Sequence, residues 1–160
     1  MKKPRDIIID LLLRIELGGA YSDRVLASHE FDAFESRDRG FIREGVHGVL
    51  RCKLRLDRII DTYYNKPAES LSPPIRMILR LGLYQLLFMS VPAHAAVYES
   101  VKMASAIQGR GAGGLVNALL RRFLREGEPA WPDDAITRIS LEQSYPEWLV
   151  ARWIREFGDE

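Results

Sequence analysis

The chain has 160 residues, enough for one ordinary domain, and its 47% hydrophobic and 28% charged residues, with a net charge of only +1, exclude a uniformly basic or acidic protein. A single cysteine, Cys52, excludes a disulfide framework and a cysteine-based zinc site, and it is typical of a reducing, cytoplasmic location. The most apolar stretch, residues 81–91, is far shorter than the roughly 20 residues that a bilayer span needs, so no membrane association is expected.

Apolar residues recur with helical spacing along the chain, and no stretch alternates as a β-strand does. The first predicted helix, over 4–17, carries apolar residues on two faces, so neighbours should cover it from two sides. A shorter helix is predicted over 22–30. The next begins near Ser36 and keeps its apolar face as far as Ile60, with room for a break after Leu50.

The second half continues the helical pattern. Pro73 and Pro74 suit the first turn of a helix over 73–89, where no amide donor is required. This helix is apolar nearly all round, which predicts a place at the centre of the core. Further helices are predicted over 94–108, over the segment that follows the glycines, over 134–143 and over 145–157.

The end of the chain differs in composition from the rest. Residues 127–134, rich in proline and acid, form the clearest linker. The last helix, over 145–157, has a predicted capping box of Ser144 with Glu147 and a stop at Gly158. Residues 1–126 hold 20 Lys/Arg and 14 Asp/Glu, a net of +6, whereas residues 127–160 hold 3 against 8, a net of −5. Only the first part is expected to prefer a polyanion.

The stretch GRGAGGLVNALLRRFLRE, residues 109–126, has the glycine content of a phosphate-binding loop. A Walker loop ends in Gly-Lys-Ser/Thr, however, and a dinucleotide fingerprint follows a strand, and neither feature is present. We therefore interpret the glycines as a turn between helices. Gly109 stops one helix, and Gly111, Gly113 and Gly114 form a flexible entry to the next.

Two basic rows point to a nucleic-acid partner. Arg121, Arg122 and Arg125 lie opposite the apolar face of their helix. A second row, Arg43, His47, Arg51 and Arg55, recurs every four residues if the helix runs that far, and Lys2, Lys3 and Arg5 add a basic N-terminus. Arginines in such rows can each donate two hydrogen bonds to phosphate oxygens and release counterions from the nucleic acid. These contacts would position the strand without reading its bases. An ordinary solvated helix face is the alternative.

Residues that could carry catalysis are not arranged for it. Cys52 has basic neighbours but no ordered base, and it is interpreted as a packing residue. His29, His47 and His94 lack metal-ligand spacing, so no metal site is predicted. The acidic pairs Asp32 with Glu35 and Asp133 with Asp134 are typical of loops. The prediction is therefore a chain without catalytic residues.

Four segments together resemble one protein family. They are DRGFIREGVHGVLR (38–51), IRMILRLGLYQLLFMSVPAHAAVYESV (75–101), VNALLRRF (116–123) and SYPEWLVARWIREFG (144–158). They are similar to the N-terminal NusB-like domain of the Sun/RsmB family, bacterial ribosomal RNA (cytosine-5)-methyltransferases that use S-adenosylmethionine. The resemblance implies an all-α fold of two packed three-helix subdomains with a C-terminal connector helix, and RNA binding as the ancestral activity.

The chain lacks the motifs with which that family performs its chemistry. It has neither a glycine-rich cofactor loop after a strand nor a catalytic cysteine beside a proline, since Cys52 lies in Arg-Cys-Lys. Residues 1–127 are therefore interpreted as a NusB-like RNA-binding domain, and residues 128–160 as the linker and connector helices leading to a catalytic domain outside this chain. S-adenosylmethionine would bind in that domain, and no cofactor is expected here.

The sequence thus predicts an RNA-binding accessory domain that helps position small-subunit ribosomal RNA for methylation, with ribosomal RNA and the methyltransferase domain as partners and no DNA partner. The expected phosphate contacts are Lys2, Lys3, Arg5, Arg43, Arg51, Lys53, Arg121, Arg122 and Arg125.

Two alternatives remain open at this point. In the first, the chain is a protein-interaction domain that docks on the catalytic domain through two apolar lines, Ile9–Leu13–Leu17 and Trp148–Trp153–Phe157. Self-association is expected where the second line is left uncovered. Core packing is the competing interpretation of the first line. In the second, the chain is a free NusB-type transcription antitermination factor.

Overall fold

The computed structural model describes residues 2–19, 21–27 and 32–158, and all regular structure in these ranges is helical, as the sequence predicts. Residues 28–30 of the helix predicted over 22–30 lie outside the described residues. The helices, in chain order, are α1 (Pro4–Gly18), α2 (Ser22–Leu26), α3 (Ser36–Arg51), α4 (Lys53–Tyr63), α5 (Pro73–Phe88), α6 (Ala93–Glu126), α7 (Ala135–Gln143) and α8 (Glu147–Phe157), with a 3₁₀ turn at Ala68–Ser70.

Helix α5 is the centre of the bundle and packs against α1, α3, α4 and α6. Every residue from 77 to 85 is buried, which confirms the central place predicted from its all-round apolar character. Helices α1, α2 and α3 form one subdomain on one side of it, and α4 and α6 complete the other with α5. The buried Arg80 of α5 donates to both carboxylate oxygens of Asp57 in α4, at 2.7 and 2.8 Å, which neutralises its charge inside the core.

Helix α6 is folded into two arms by a turn at Gln108 and Gly109. Gly109 has φ +80° and ψ −177°, a conformation that glycine adopts readily, so its predicted role as a helix stop is confirmed. The first arm (93–107) and the second arm (110–126) run antiparallel. Their contact is seen at Gly113, which lies against Val101 and Ser105. Gly113 is thus a close helix contact rather than the predicted flexible entry.

The helix that begins at Ser36 breaks at Cys52. This residue has φ −104° and ψ 14°, ending α3 at Arg51 and starting α4 at Lys53. The predicted row Arg43, His47, Arg51 and Arg55 required an unbroken helix, so its last member is displaced from the other three. The condition on which Arg55 would continue the row, an unbroken helix, is not met.

The tail packs on the second subdomain, with α7 against α4 and α8 against α7. The predicted capping box of α8 is wrong. Ser144 has φ 56° and ends α7, and its Oγ accepts from the backbone N–H of Arg55 at 3.2 Å. Pro146 precedes the first turn of α8, and Gly158 ends that helix as predicted.

The apolar line of α1 belongs mainly to the core. Ile9 is buried and Leu13 packs against the core cluster, so core packing is confirmed for these two residues, whereas Leu17 is 66% exposed. Among the described residues, none of the helices combines the length and hydropathy that a membrane crossing requires.

Candidate nucleic-acid interface

The α3 row presents three basic side chains to solvent. Arg43, His47 and Arg51 are exposed, and they follow one another at single-turn intervals while Ile42, Val46 and Val49 face the core. Arg51 Nη2 donates to Tyr84 Oη at 3.3 Å, and the interaction with this hydroxyl raises the pKa of Arg51. The row is therefore a fixed, outward basic ridge.

Beyond the break, the basic residues turn toward partners inside the protein. Lys53 Nζ lies 3.1 Å from both carboxylate oxygens of Glu16. Arg55 donates to Glu128 from Nε at 2.6 Å and from Nη2 at 2.7 Å, and its guanidinium stacks on Trp131 and Phe88. The hydrogen bond with Glu128 raises the pKa of Arg55. This arginine fastens the linker to α4.

The predicted N-terminal contacts are also engaged. Lys2 forms an ion pair with Asp10 at 2.5 Å, and Lys3 Nζ lies 3.9 Å from Glu99. Arg5 donates from Nε to Gln85 Oε1 at 2.9 Å and lies 5.1 Å over the ring of Phe41. Burial lowers the pKa of Arg5, with the charge of Glu99 acting in the opposite direction. Arg5 thus has a packing role in addition to any contact with RNA.

The three arginines of the second arm divide between two grooves. Arg121 donates to Asn117 Oδ1 at 2.9 Å and lines a cavity of about 280 Å³ between the two arms, beside His94 and Tyr98. Arg122 and Arg125 line a cavity of about 370 Å³ between this arm and the end of α4. The row predicted from sequence therefore reaches two separate surfaces.

The groove at the end of α4 contains residues that the sequence analysis missed. Tyr63, Tyr64, Asn65 and Lys66 line it together with Arg122 and Arg125. The Tyr-Tyr-Asn-Lys run places two aromatic residues close to a lysine, which was the available signal, but only the fold brings it next to arginines about 60 positions away. We call this surface the α4–α6 groove.

The aromatic residues predicted to dock another domain do not share one face. Trp148 is 67% exposed and Phe157 is 79% exposed. Because nine positions separate them, they lie on opposite sides of α8. Trp153 is on the same side as Phe157 and packs edge-on against Tyr145 at 5.1 Å. Trp153 and Phe157 thus lie on one side of α8, and Trp148 lies on the other.

No group of three or more potential metal-ligating side chains occurs within the described ranges. Cys52 is half-buried at the α3–α4 break. His47 and His94 lie on different helices, and His29 lies outside the described residues.

Comparison with known proteins agrees with this architecture. The model of the NusB family matches residues 2–125. The chain is 36% identical to the probable ribosomal RNA small subunit methyltransferase B of Bacillus subtilis, covering all of this chain and 37% of that protein. It is 38% identical to the ribosomal RNA small subunit methyltransferase B of Pasteurella multocida, covering 71% of this chain and 28% of that protein. The chain thus spans about a third of the length of these curated relatives.

The fold is also found among solved structures. NusB of T. maritima superposes with a TM-score of 0.71 at 23% sequence identity, covering 79% of this chain and 91% of that structure. This likeness establishes the shared all-α fold.

Proposed function

This chain belongs to the NusB family, and we propose that it is the RNA-binding accessory part of a cytoplasmic ribosomal RNA small subunit methyltransferase, holding the RNA for a catalytic domain elsewhere. The similarity to the Bacillus subtilis methyltransferase extends over the whole chain, including α7 and α8. That extent favours the methyltransferase context over a free antitermination factor.

The observation that carries RNA binding is the placement of the basic ridges. The exposed row of α3 and the arginines of the second arm of α6 account for much of the excess positive charge of residues 1–126. An arginine can fork onto two phosphate oxygens, and each neutralised phosphate releases counterions. RNA lying along these ridges would be positioned without its sequence being read.

The predicted contacts differ in how readily they can serve RNA. Arg43, Arg51, Arg121 and Arg125 are exposed, and they are our first candidates. Lys2, Lys3, Lys53 and Arg122 sit in surface ion pairs, which contribute about 0–1 kcal/mol and can be exchanged for phosphate. Arg5 comes last because it packs against Gln85 and Phe41.

Methyl transfer itself is assigned to another part of the protein. We propose that S-adenosylmethionine likewise binds in that other part, with the strand and glycine-rich loop that the resemblance implies for this class of enzyme. We infer that Trp153 and Phe157 form the docking surface for the catalytic domain, and that the uncovered surface promotes self-association.

The test is a salt-titrated binding assay of the full chain with a structured fragment of small-subunit ribosomal RNA. The Arg121→Glu/Arg122→Glu/Arg125→Glu variant should bind at least about tenfold more weakly, with a flatter dependence of log K on log salt. A matched control, Arg138→Glu/Arg152→Glu/Arg155→Glu, changes the charge equally on α7 and α8 and should bind like the unmodified chain. Equal affinities for the two variants, or binding insensitive to salt, would favour the interaction-domain alternative.

A further inference from the structure

The α4–α6 groove combines free positive charge with an apolar floor. Neither Lys66 nor Arg125 makes a hydrogen bond or an ion pair with any residue in the described part of the chain, and both are exposed. None of the side chains lining the groove is a carboxylate, and the nearby Glu126 is held by Arg122 Nε at 3.1 Å. Two cations are therefore available to an anionic ligand.

The groove also offers flat surfaces that are already fixed. The guanidinium of Arg122 lies 4.7 Å over the ring of Tyr63, whose hydroxyl donates to the carbonyl of Gly127 at 2.6 Å. Tyr64 shares a hydrogen bond of 2.7 Å with Ser70 Oγ. Because these contacts hold the rings in place before a ligand arrives, little rotamer entropy is lost on stacking.

Size and chemistry together point to one kind of ligand. The volume of about 370 Å³ is at the lower end of small-ligand sites, too small for a duplex. Planar π and guanidinium surfaces stack bases only when those bases are unstacked, as in single-stranded RNA. The exposed Asn65 adds an amide donor and acceptor at the rim, suited to a base edge.

We propose that the α4–α6 groove is a subsite for one unpaired nucleotide of an RNA strand. Lys66 and Arg125 bind its phosphate, and the base stacks in the groove on the surface formed by Tyr64 and Arg122. The inference rests on the proposed RNA-binding function and adds to it a preference for single-stranded RNA at this position.

The test uses fluorescence anisotropy of the full chain with a labelled oligo(U) of about 12 nucleotides and with a fully paired RNA duplex of equal length. Lys66→Ala/Arg125→Ala should weaken oligo(U) binding about tenfold and reduce the salt slope by about 0.7, the contribution of one phosphate on a single strand. Tyr64→Leu should weaken it about fivefold with an unchanged slope, because it removes stacking and no charge. The control Arg138→Ala/Arg152→Ala removes equal charge on α7 and α8.

A second measurement locates the contact directly. Oligo(U) carrying 4-thiouridine should form photo-crosslinks within residues 63–66, identified by mass spectrometry of the digested complex. Circular dichroism of each variant verifies that it is folded.

The outcomes separate the subsite from the function on which it rests. If the unmodified chain binds neither these RNAs nor the structured ribosomal RNA fragment, the proposed function fails and the subsite with it. If it binds the structured fragment but not oligo(U), the subsite alone is overturned. If it binds RNA but the groove variants match the control, or the duplex binds as well as oligo(U), the subsite alone is overturned.

Discussion

Glu128 accepts two hydrogen bonds from Arg55, 2.6 Å from Nε and 2.7 Å from Nη2, across 73 positions of sequence. Each side chain is only 21% exposed, and Trp131 packs on the same guanidinium. Arg58 in the next turn of α4 donates to the carbonyl of Ala130. The proline-rich linker is therefore fastened along α4, and α7 and α8 continue from a fixed point.

Removing the carboxylate of this pair should destabilise the fold. Glu128→Gln leaves the half-buried charge of Arg55 without a counter-charge, and we expect the free energy of unfolding in urea to fall by about 1.5–3 kcal/mol. Glu156→Gln is the matched control, because Glu156 pairs with Arg152 on the exposed face of α8 at 3.0 Å and should cost less than about 0.5 kcal/mol. Equal losses would show that the Arg55 pair is as weak as a surface pair.

Two glycines of α3 should respond to alanine in opposite directions. A Cβ on Gly48 would overlap the ring of the buried Tyr84, so Gly48→Ala should cost about 1–3 kcal/mol of unfolding free energy. A Cβ added to Gly40, two turns earlier in the same helix, would meet no atom within 4 Å. Gly40→Ala should therefore stabilise the helix by about 0.5–1 kcal/mol. Thermal unfolding of the two variants gives the comparison, and a harmless Gly48→Ala would contradict the tight α3–α5 contact.

Tyr84 should make stability depend on alkaline pH. Burial, followed by the hydrogen bond it donates to Glu44, raises its pKa from 10 to about 12, while Arg51 opposes the shift. The folded chain therefore retains this proton where the unfolded chain has lost it, so the contribution is complete below pH 10 and is lost between about pH 10 and 12. In urea unfolding across this pH range, the free energy of unfolding should fall more steeply with pH for the unmodified chain than for Tyr84→Phe. Parallel declines would exclude Tyr84 as the cause.

The RNA-contact residues show where reasoning from sequence ends. The outward placement of Arg43 and Arg51 follows from helical periodicity alone, and the structure agrees with it. The same periodicity would extend the row to Arg55 only along an unbroken helix, and the break at Cys52 removes that residue from it. Likewise, Trp148 and Phe157 are both exposed as expected for a docking surface, but nine positions separate them and they face different directions.

The all-α class, the order of the helices and the central place of α5 could be predicted without the fold, because each depends on the spacing of apolar residues within a short segment. Which basic side chains remain available to a ligand depends on contacts between residues far apart in the chain. Arg5 meets Gln85 across 80 positions and Arg55 meets Glu128 across 73, whereas Lys66 and Arg125 meet no partner in the described residues. A charged side chain is engaged by whatever polar or charged group the fold places within a few ångströms of it, and that neighbour is set by packing rather than by local pattern.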